Sequence, residues 1–192
     1  MIIASIVSSV MLVTTKSQIS FAVLSNVQNF MNMTEEQRIQ AAQNMTQNEK
    51  EMVMNEFSKQ NSTVDENMSD TTAPENMSDT TAPEDVKPLM GNFVDVGDGF
   101  HMVEGVAKVI DLADGRTFLR LESLKATNGP DLYVYLSADK DASNIVNLGR
   151  LKGNIGNQNY EIPAGTDLSK YNTVLIWCKA FSTLFGSAKL ST

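Results

Sequence analysis

The run Thr173–Phe181 constrains the fold more than any other stretch, because it combines the densest apolar sequence with the only cysteine and the only tryptophan. It is rich in β-branched and aromatic residues and shorter than a usual globular helix, which predicts a central β-strand. Successive side chains of a strand point to opposite faces, so Cys178 shares a face with Ile176 and not with Lys179. Because Lys179 must reach solvent, we expect Cys178 to face the core.

The second half of the chain, residues 88–192, consists of short apolar stretches separated by turn residues such as Gly97-Asp98-Gly99 and Asn128-Gly129-Pro130. This spacing predicts an all-β domain, an antiparallel β-sandwich or barrel of about eight short strands. The predicted strands are Asn92–Val96, His101–Asp111, Thr117–Leu124, Asp131–Leu136, Ile145–Leu151, Tyr160–Ile162, Thr173–Ala180 and Phe185–Leu190.

The net charge of −8 is unevenly distributed. Residues 1–87 contain five Lys and Arg against twelve Asp and Glu, whereas residues 88–192 contain ten against eleven. Neither half has the basic excess of a nucleic-acid-binding protein, so no nucleic acid partner is expected. A single cysteine also excludes an intrachain disulfide.

The N-terminal residues 1–22 have the pattern of an export signal, an apolar run followed by the small residues Ser20 and Ala22. We therefore expect cleavage after Ala22 and an extracellular or cell-surface location. No basic residue precedes the apolar run, so residues 2–24 could instead stay attached to a membrane as an uncleaved anchor. A third alternative is an ordinary buried helix of a cytosolic protein.

Residues 23–59 form a polar region that contains two helix-start signals. Thr34 with Gln37 and Thr46 with Glu49 have the spacing of a capping box, which predicts two short helices. Their apolar faces are thin, so neither helix could bury much area alone. The weakness of these faces favours a polar helical spacer over a partner-binding hairpin.

Residues 60–87 contain a perfect nine-residue repeat, Glu66–Pro74 followed by Glu75–Pro83. Its polar, acidic and proline-punctuated composition predicts a disordered acidic linker. Sequons for N-glycosylation occur only in this N-terminal half, which is typical of a glycosylated stalk, although an Asn-rich and Ser/Thr-rich segment can also produce sequons by chance. The acceptor residues are Asn32, Asn44, Asn61, Asn67 and Asn76.

Three segments of the β domain carry a resemblance to a known family. They are Asn128–Leu136, Leu148–Gly156 with Tyr160, and Tyr171–Phe181 with Phe185–Leu190. Together with the early elements His101–Gly105 and Asp114-Gly115, they resemble the DM-thirteen domain, the "electron transfer" domain, over residues 88–191. The resemblance implies an all-β extracytoplasmic domain whose characteristic cysteine, here Cys178, does redox work as a thiol or holds a group such as heme. Leu124 departs from the family, which tends to have an aromatic residue there.

Three residues are therefore candidates for chemistry, namely Cys178, His101 and Met102. A reactive Cys178 needs an electropositive, partly exposed setting, whereas a thiol flanked by apolar residues is more simply part of the core. With a single histidine, the chain cannot build a blue-copper or structural zinc site alone. Heme with Cys178 as axial ligand opposite His101 or Met102 stays open, as does the alternative that His101 is an ordinary exposed residue.

Two hypotheses follow for function. The first is an exported, surface-tethered DM-thirteen-like protein with a redox or electron-transfer role centred on Cys178. The second is a non-catalytic binding or adhesion module in which Cys178 is a buried core residue. No nucleophile elbow or phosphate-cradling loop occurs, so a hydrolase or nucleotide enzyme has no residue set to support it.

Overall fold

The computed structural model of the chain describes Ser25, residues 27–68 and residues 88–192. Residues 27–32 are helical, and two helices follow, α1 (Glu35–Asn44) and α2 (Gln47–Ser58). The strands are β1 (Thr63–Asp65), β2 (Met90–Asp95), β3 (Val103–Asp111), β4 (Thr117–Ala126), β5 (Leu132–Ser137), β6 (Ile145–Arg150), β7 (Ile155–Ile162), β8 (Thr173–Cys178) and β9 (Thr183–Lys189). No helix within this described part is long and apolar enough to cross a bilayer. The expected export signal, Asn76 and most of the repeat lie outside the described residues.

The nine strands form one curled sheet shaped like half a barrel, in the order β1-β7-β4-β3-β2-β9-β8-β5-β6. β1 and β7 run parallel, and each other neighbouring pair of described strands is antiparallel. The prediction of an all-β fold with eight short strands after residue 88 is confirmed. The two-sheet sandwich alternative does not apply, because the sheet curls and its own concave face encloses the core.

The interior of the curled sheet is lined by alternate residues of β5 and β8. Val134 and Ile176 are fully buried there together with Cys178, so the predicted inward direction of the cysteine is confirmed. The opposite face of the same two strands is also covered, because Tyr133 and Leu175 pack there in a second apolar cluster. Both faces of this central strand pair are therefore buried, which explains the near-continuous apolar run.

Strand β1 corrects the linker prediction. Residues 60–87 are predicted to be disordered, but Thr63–Asp65 pairs with the start of β7. Two glycines permit this close approach: a Cβ atom on Gly156 would lie 1.9 Å from the carbonyl oxygen of Val64, and one on Gly153 would lie 2.6 Å from that of Ser62. Composition misses this strand because its neighbours in the fold, and not its own sequence, create the docking groove.

The two predicted helices are present, and both capping boxes form as expected. They do not act as a spacer, however, and that prediction is wrong. Val53 and Phe57 of α2 are buried beside Phe30 and the β8–β9 turn, where the rings of Phe30 and Phe181 lie 5.8 Å apart. The thin apolar faces of the helices are sufficient for docking, because the β domain supplies the other apolar surface of the contact. We call residues 27–68, which comprise the helices and β1, the N-terminal clamp.

Replacing Gly156 with alanine should detach β1 from the sheet. Gly156 has a φ of 112°, and Gly149 has a nearly equal φ of 116° but open space around it. Gly149→Ala therefore measures backbone strain alone, about 1–3 kcal/mol, whereas Gly156→Ala adds a clash with the backbone of β1. We expect urea denaturation to show a larger loss of unfolding free energy for Gly156→Ala, and limited proteolysis to cut faster near residue 64. Equal losses and unchanged proteolysis would contradict the close packing of β1.

Candidate functional site

The most unusual polar group in the domain is the carboxylate of Asp131, which follows Pro130 and immediately precedes β5. Its side chain is completely buried. One oxygen, Oδ1, accepts a hydrogen bond from Nη2 of Arg150 and lies 3.3 Å from Nη2 of Arg38 on α1. The other oxygen, Oδ2, and Nε of Arg38 are also buried, and neither has a hydrogen-bond partner among the described residues. The clamp therefore contributes one of the two cations that face this buried anion.

Burial raises the pKa of Asp131, and the nearby Glu35 carboxylate acts in the same direction. Arg150 and Arg38 oppose this effect by stabilising the ionised form. The Arg150 side chain is half exposed, and the Arg38 side chain is almost fully buried. Loss of either cation would leave the buried carboxylate with less charge compensation. The arrangement therefore ties the stability of the β domain to the presence of α1.

A second polar contact lies beside the first, at the start of α1. Glu35 accepts hydrogen bonds from Nζ of Lys179 and from the hydroxyl of Tyr133. These two bonds, together with the charge of Lys179, lower the pKa of Glu35 below its usual value although partial burial opposes them. Glu35 therefore stays ionised and links α1 to both β5 and the turn after β8.

Cys178 ends β8 on the core side, with no exposed surface. Burial raises the pKa of its thiol to about 12, and the carboxylate of Asp131 adds to the increase, although backbone N–H groups from the following turn oppose it. The thiol of Cys178 therefore stays protonated at neutral pH. This environment is the opposite of the electropositive, accessible setting of a reactive cysteine.

His101 lies in the loop before β3 and is held by Asp98. The Asp98 carboxylate accepts hydrogen bonds from the backbone of Phe100 and His101, and Nδ1 of His101 lies 2.5 Å from Oδ2. Burial acts to raise the pKa of Asp98, but these hydrogen bonds outweigh it and lower the pKa to about 2. An ionised acceptor on Nδ1 fixes that nitrogen as the donor, so the Nε2 of a neutral His101 is an acceptor.

A cleft of about 750 Å³ lies where the clamp meets this loop. One wall is α2, and the other contains Asp98, Phe100 and His101. Phe181 in the β8–β9 turn and Thr183 at the start of β9 complete the lining. The volume is within the range of small-molecule sites, and apolar side chains alternate with amides and an oriented imidazole. The cleft exists only because the clamp is docked.

The three predicted site residues do not come together. Cys178 is enclosed in the core, and His101 lines the cleft. Met102 is 53% exposed and lines a different, smaller depression beside β4. They therefore do not form an axial ligand pair, and the residues present do not fit a heme held by Cys178. Among the described residues, no group of three or more His, Cys, Asp or Glu side chains is placed to hold a metal ion.

Sequence reasoning missed the residues that define the buried ion pair of Asp131 and the cleft beside His101. Asp131 is recognisable in retrospect as an acid directly before a largely apolar strand, whose residues are all buried. The spacing of Asp98 and His101, which are three residues apart in a turn where Gly97 and Gly99 flank Asp98, could have indicated an oriented histidine. The role of Arg38 had no local signal, because its partner is nearly a hundred positions away in the chain.

Comparison with protein families adds one finding. A family model described as electron transfer DM13, the DM-thirteen family, matches residues 95–190. Comparison with curated proteins and with solved structures gave no significant match. The match includes every strand from β3 to β9, while the clamp precedes it. With half of its sequence in this domain and the predicted β architecture around Cys178, the chain belongs to the electron transfer DM13 family.

Proposed function

We propose that this protein is an exported binding module, in which the DM13 domain presents the cleft beside His101 and Cys178 is a core residue. The observation that carries the proposal is the complete burial of Cys178 with a thiol pKa raised to about 12. A thiol in that state neither exchanges disulfides nor binds a metal readily, because both reactions require the thiolate. The function of the domain then lies at its surface.

The cleft supplies the features that a binding surface needs. Phe100 and Phe181 offer apolar contact, while Asn48 and Asn55 on α2 and the fixed imidazole of His101 offer directed hydrogen bonds. The ring of His101 is also packed edge-on against Phe100, with centroids 5.0 Å apart, and against Phe185 at 4.4 Å. These contacts fix the orientation of the imidazole before any ligand arrives, which lowers the entropy cost of binding.

Export is supported by features of the N-terminal half. The sequence of residues 1–22 resembles a signal peptide, and four of the sequon asparagines are solvent-exposed. These four are Asn32, Asn44, Asn61 and Asn67. Exposed sequons on the clamp are accessible to glycosylation without disturbing the cleft side of the β domain.

The second candidate function is electron transfer or redox chemistry at Cys178, which the family description favours. For this chemistry the sulfur would have to become accessible, since its closed environment suppresses the thiolate. The two candidates predict opposite behaviour of the cysteine toward a thiol reagent, so one experiment separates them.

We expect Cys178 in the folded full-length protein to resist alkylation by iodoacetamide from pH 5 to 9. In denaturant the same thiol should react with a midpoint near the free-cysteine value of about 8.5. A matched control is Val94→Cys in a Cys178→Ala background, because Val94 is 63% exposed and should react in the folded state. Rapid native labelling of Cys178 at a rate close to that control would reject the binding-module proposal in favour of redox chemistry.

The export proposal makes a separate prediction. When the full chain is produced in a glycosylating secretory cell, we expect it in the medium with a new N-terminus at Val23 and with N-glycans on the clamp. N-terminal sequencing and a mass shift on enzymatic deglycosylation measure both. Mutation of Asn32 and Asn44 to Gln should remove part of that shift. Retention inside the cell, without glycans and with Met1 intact, would show that the export proposal is wrong.

A further inference from the structure

The face of the DM13 domain that the clamp covers presents three cations to the clamp, beside the buried carboxylate of Asp131, and we call it the basic face. Lys152 and Lys179 have half-exposed side chains at this face, and Arg120 contacts the clamp just after β1. The clamp meets these cations with acidic groups: Lys152 Nζ lies 2.7 and 2.9 Å from the two carboxylate oxygens of Glu66, and Lys179 pairs with Glu35. Arg120 Nη1 donates to the backbone oxygen of Glu66 at 3.1 Å. The two surfaces are therefore complementary in charge.

The clamp is a separate element in sequence as well as in contact. It precedes the family match, which begins at residue 95, and residues 69–87 connect it to β2. A connection of that length reaches at most roughly 65 Å when fully extended, more than the diameter of a small domain. The apolar part of the contact consists of Phe30, Val53 and Phe57 beside the β8–β9 turn, and of Met54, which joins the core cluster of the domain. The described contacts join residues 27–68 to residues 88–192, and the same contacts can form within one chain or between two chains.

We propose that the basic face of the DM13 domain is a docking surface for the clamp of a second copy of this chain, so that two copies exchange clamps and form a dimer. Every contact described above is kept in such a dimer, because each clamp meets an identical face. A tether of this length gives the intramolecular clamp an effective concentration in the millimolar range, so the isolated chain is monomeric at micromolar concentration. Exchange is favoured where copies are crowded, as on a surface.

Charge reversal tests the exchange directly. One chain carries Glu35→Lys and Glu66→Lys on its clamp, and the other carries Lys152→Glu and Lys179→Glu on its domain. Within each chain alone, the clamp then meets the domain with like charges. In an exchanged pair, the altered clamp meets the altered domain with two attractive contacts, and the wild-type clamp meets the wild-type domain. At about 300 µM of each chain, light scattering on a sizing column should give a mass near twice the 21.0 kDa of the chain for the mixture, and a single-chain mass for each variant alone.

A chain carrying all four substitutions is the matched control, because it restores both pairs within one molecule. It should melt at the wild-type temperature and stay monomeric at that concentration. A mixture of the two reversed chains that remains at single-chain mass, while this control is folded, overturns the proposal. So does dimerisation of either reversed chain alone, because that would show association without clamp exchange.

A second readout uses wild-type protein and does not depend on the variants folding. Equal amounts of unlabelled and nitrogen-15-labelled chain are mixed at about 1 mM and treated with a carbodiimide, which joins a carboxylate and an amine in direct contact. Glu66 and Lys152 meet that condition. We expect mass spectrometry to find Glu66–Lys152 peptides of mixed isotope composition, and their absence beside abundant like-isotope peptides would overturn the proposal.

Discussion

The buried charge of Asp131 is the constraint on which the rest of the structure depends. An anion removed from water at the start of a central strand is tolerated only with cations beside it, and those cations come from two directions, Arg150 on β6 and Arg38 on α1. The β domain therefore needs a second element to complete its own interior. That need explains why two helices with weak apolar faces are docked and ordered in this protein.

The same environment determines the state of Cys178. The cysteine pairs across the sheet with Leu132, next to Asp131, so the apolar core and the negative charge act together on the thiol. A family described by electron transfer thus contains, in this chain, a cysteine that is held in its unreactive form. The cleft beside His101 arises at the edge of the same contact, where α2 faces the loop before β3. In the function that we propose, ligand binding takes place at this cleft, which the clamp helps to build.

The sequence alone predicted what depends on local pattern. Alternating apolar residues and turn signals identified eight strands, the alternation around Cys178 gave its direction, and the pairs beginning at Thr34 and Thr46 gave two helix starts. Contacts between distant segments were not predictable in this way. β1 depends on glycines some ninety residues later, and the ion pair of Arg38 depends on a carboxylate outside any helix. Both β1 and the Arg38 ion pair result from docking of one segment on another. Whether a segment docks depends on the surface of its partner, and the composition of the segment itself carries little information about it.

The most direct test of this account is a double-mutant cycle on the buried pair, with the free energy of unfolding measured by urea denaturation of Arg38→Met, Asp131→Asn and the double variant. We predict that each single change costs at least about 2 kcal/mol and that the double variant is little worse than either, because the contact between Arg38 and Asp131 can be lost only once. Arg116→Met, which breaks a solvent-exposed pair with Asp114, should cost much less than either change at the buried pair. Additive losses at Arg38 and Asp131, or losses no larger than that of Arg116→Met, would contradict the claim that the buried carboxylate binds the clamp to the domain.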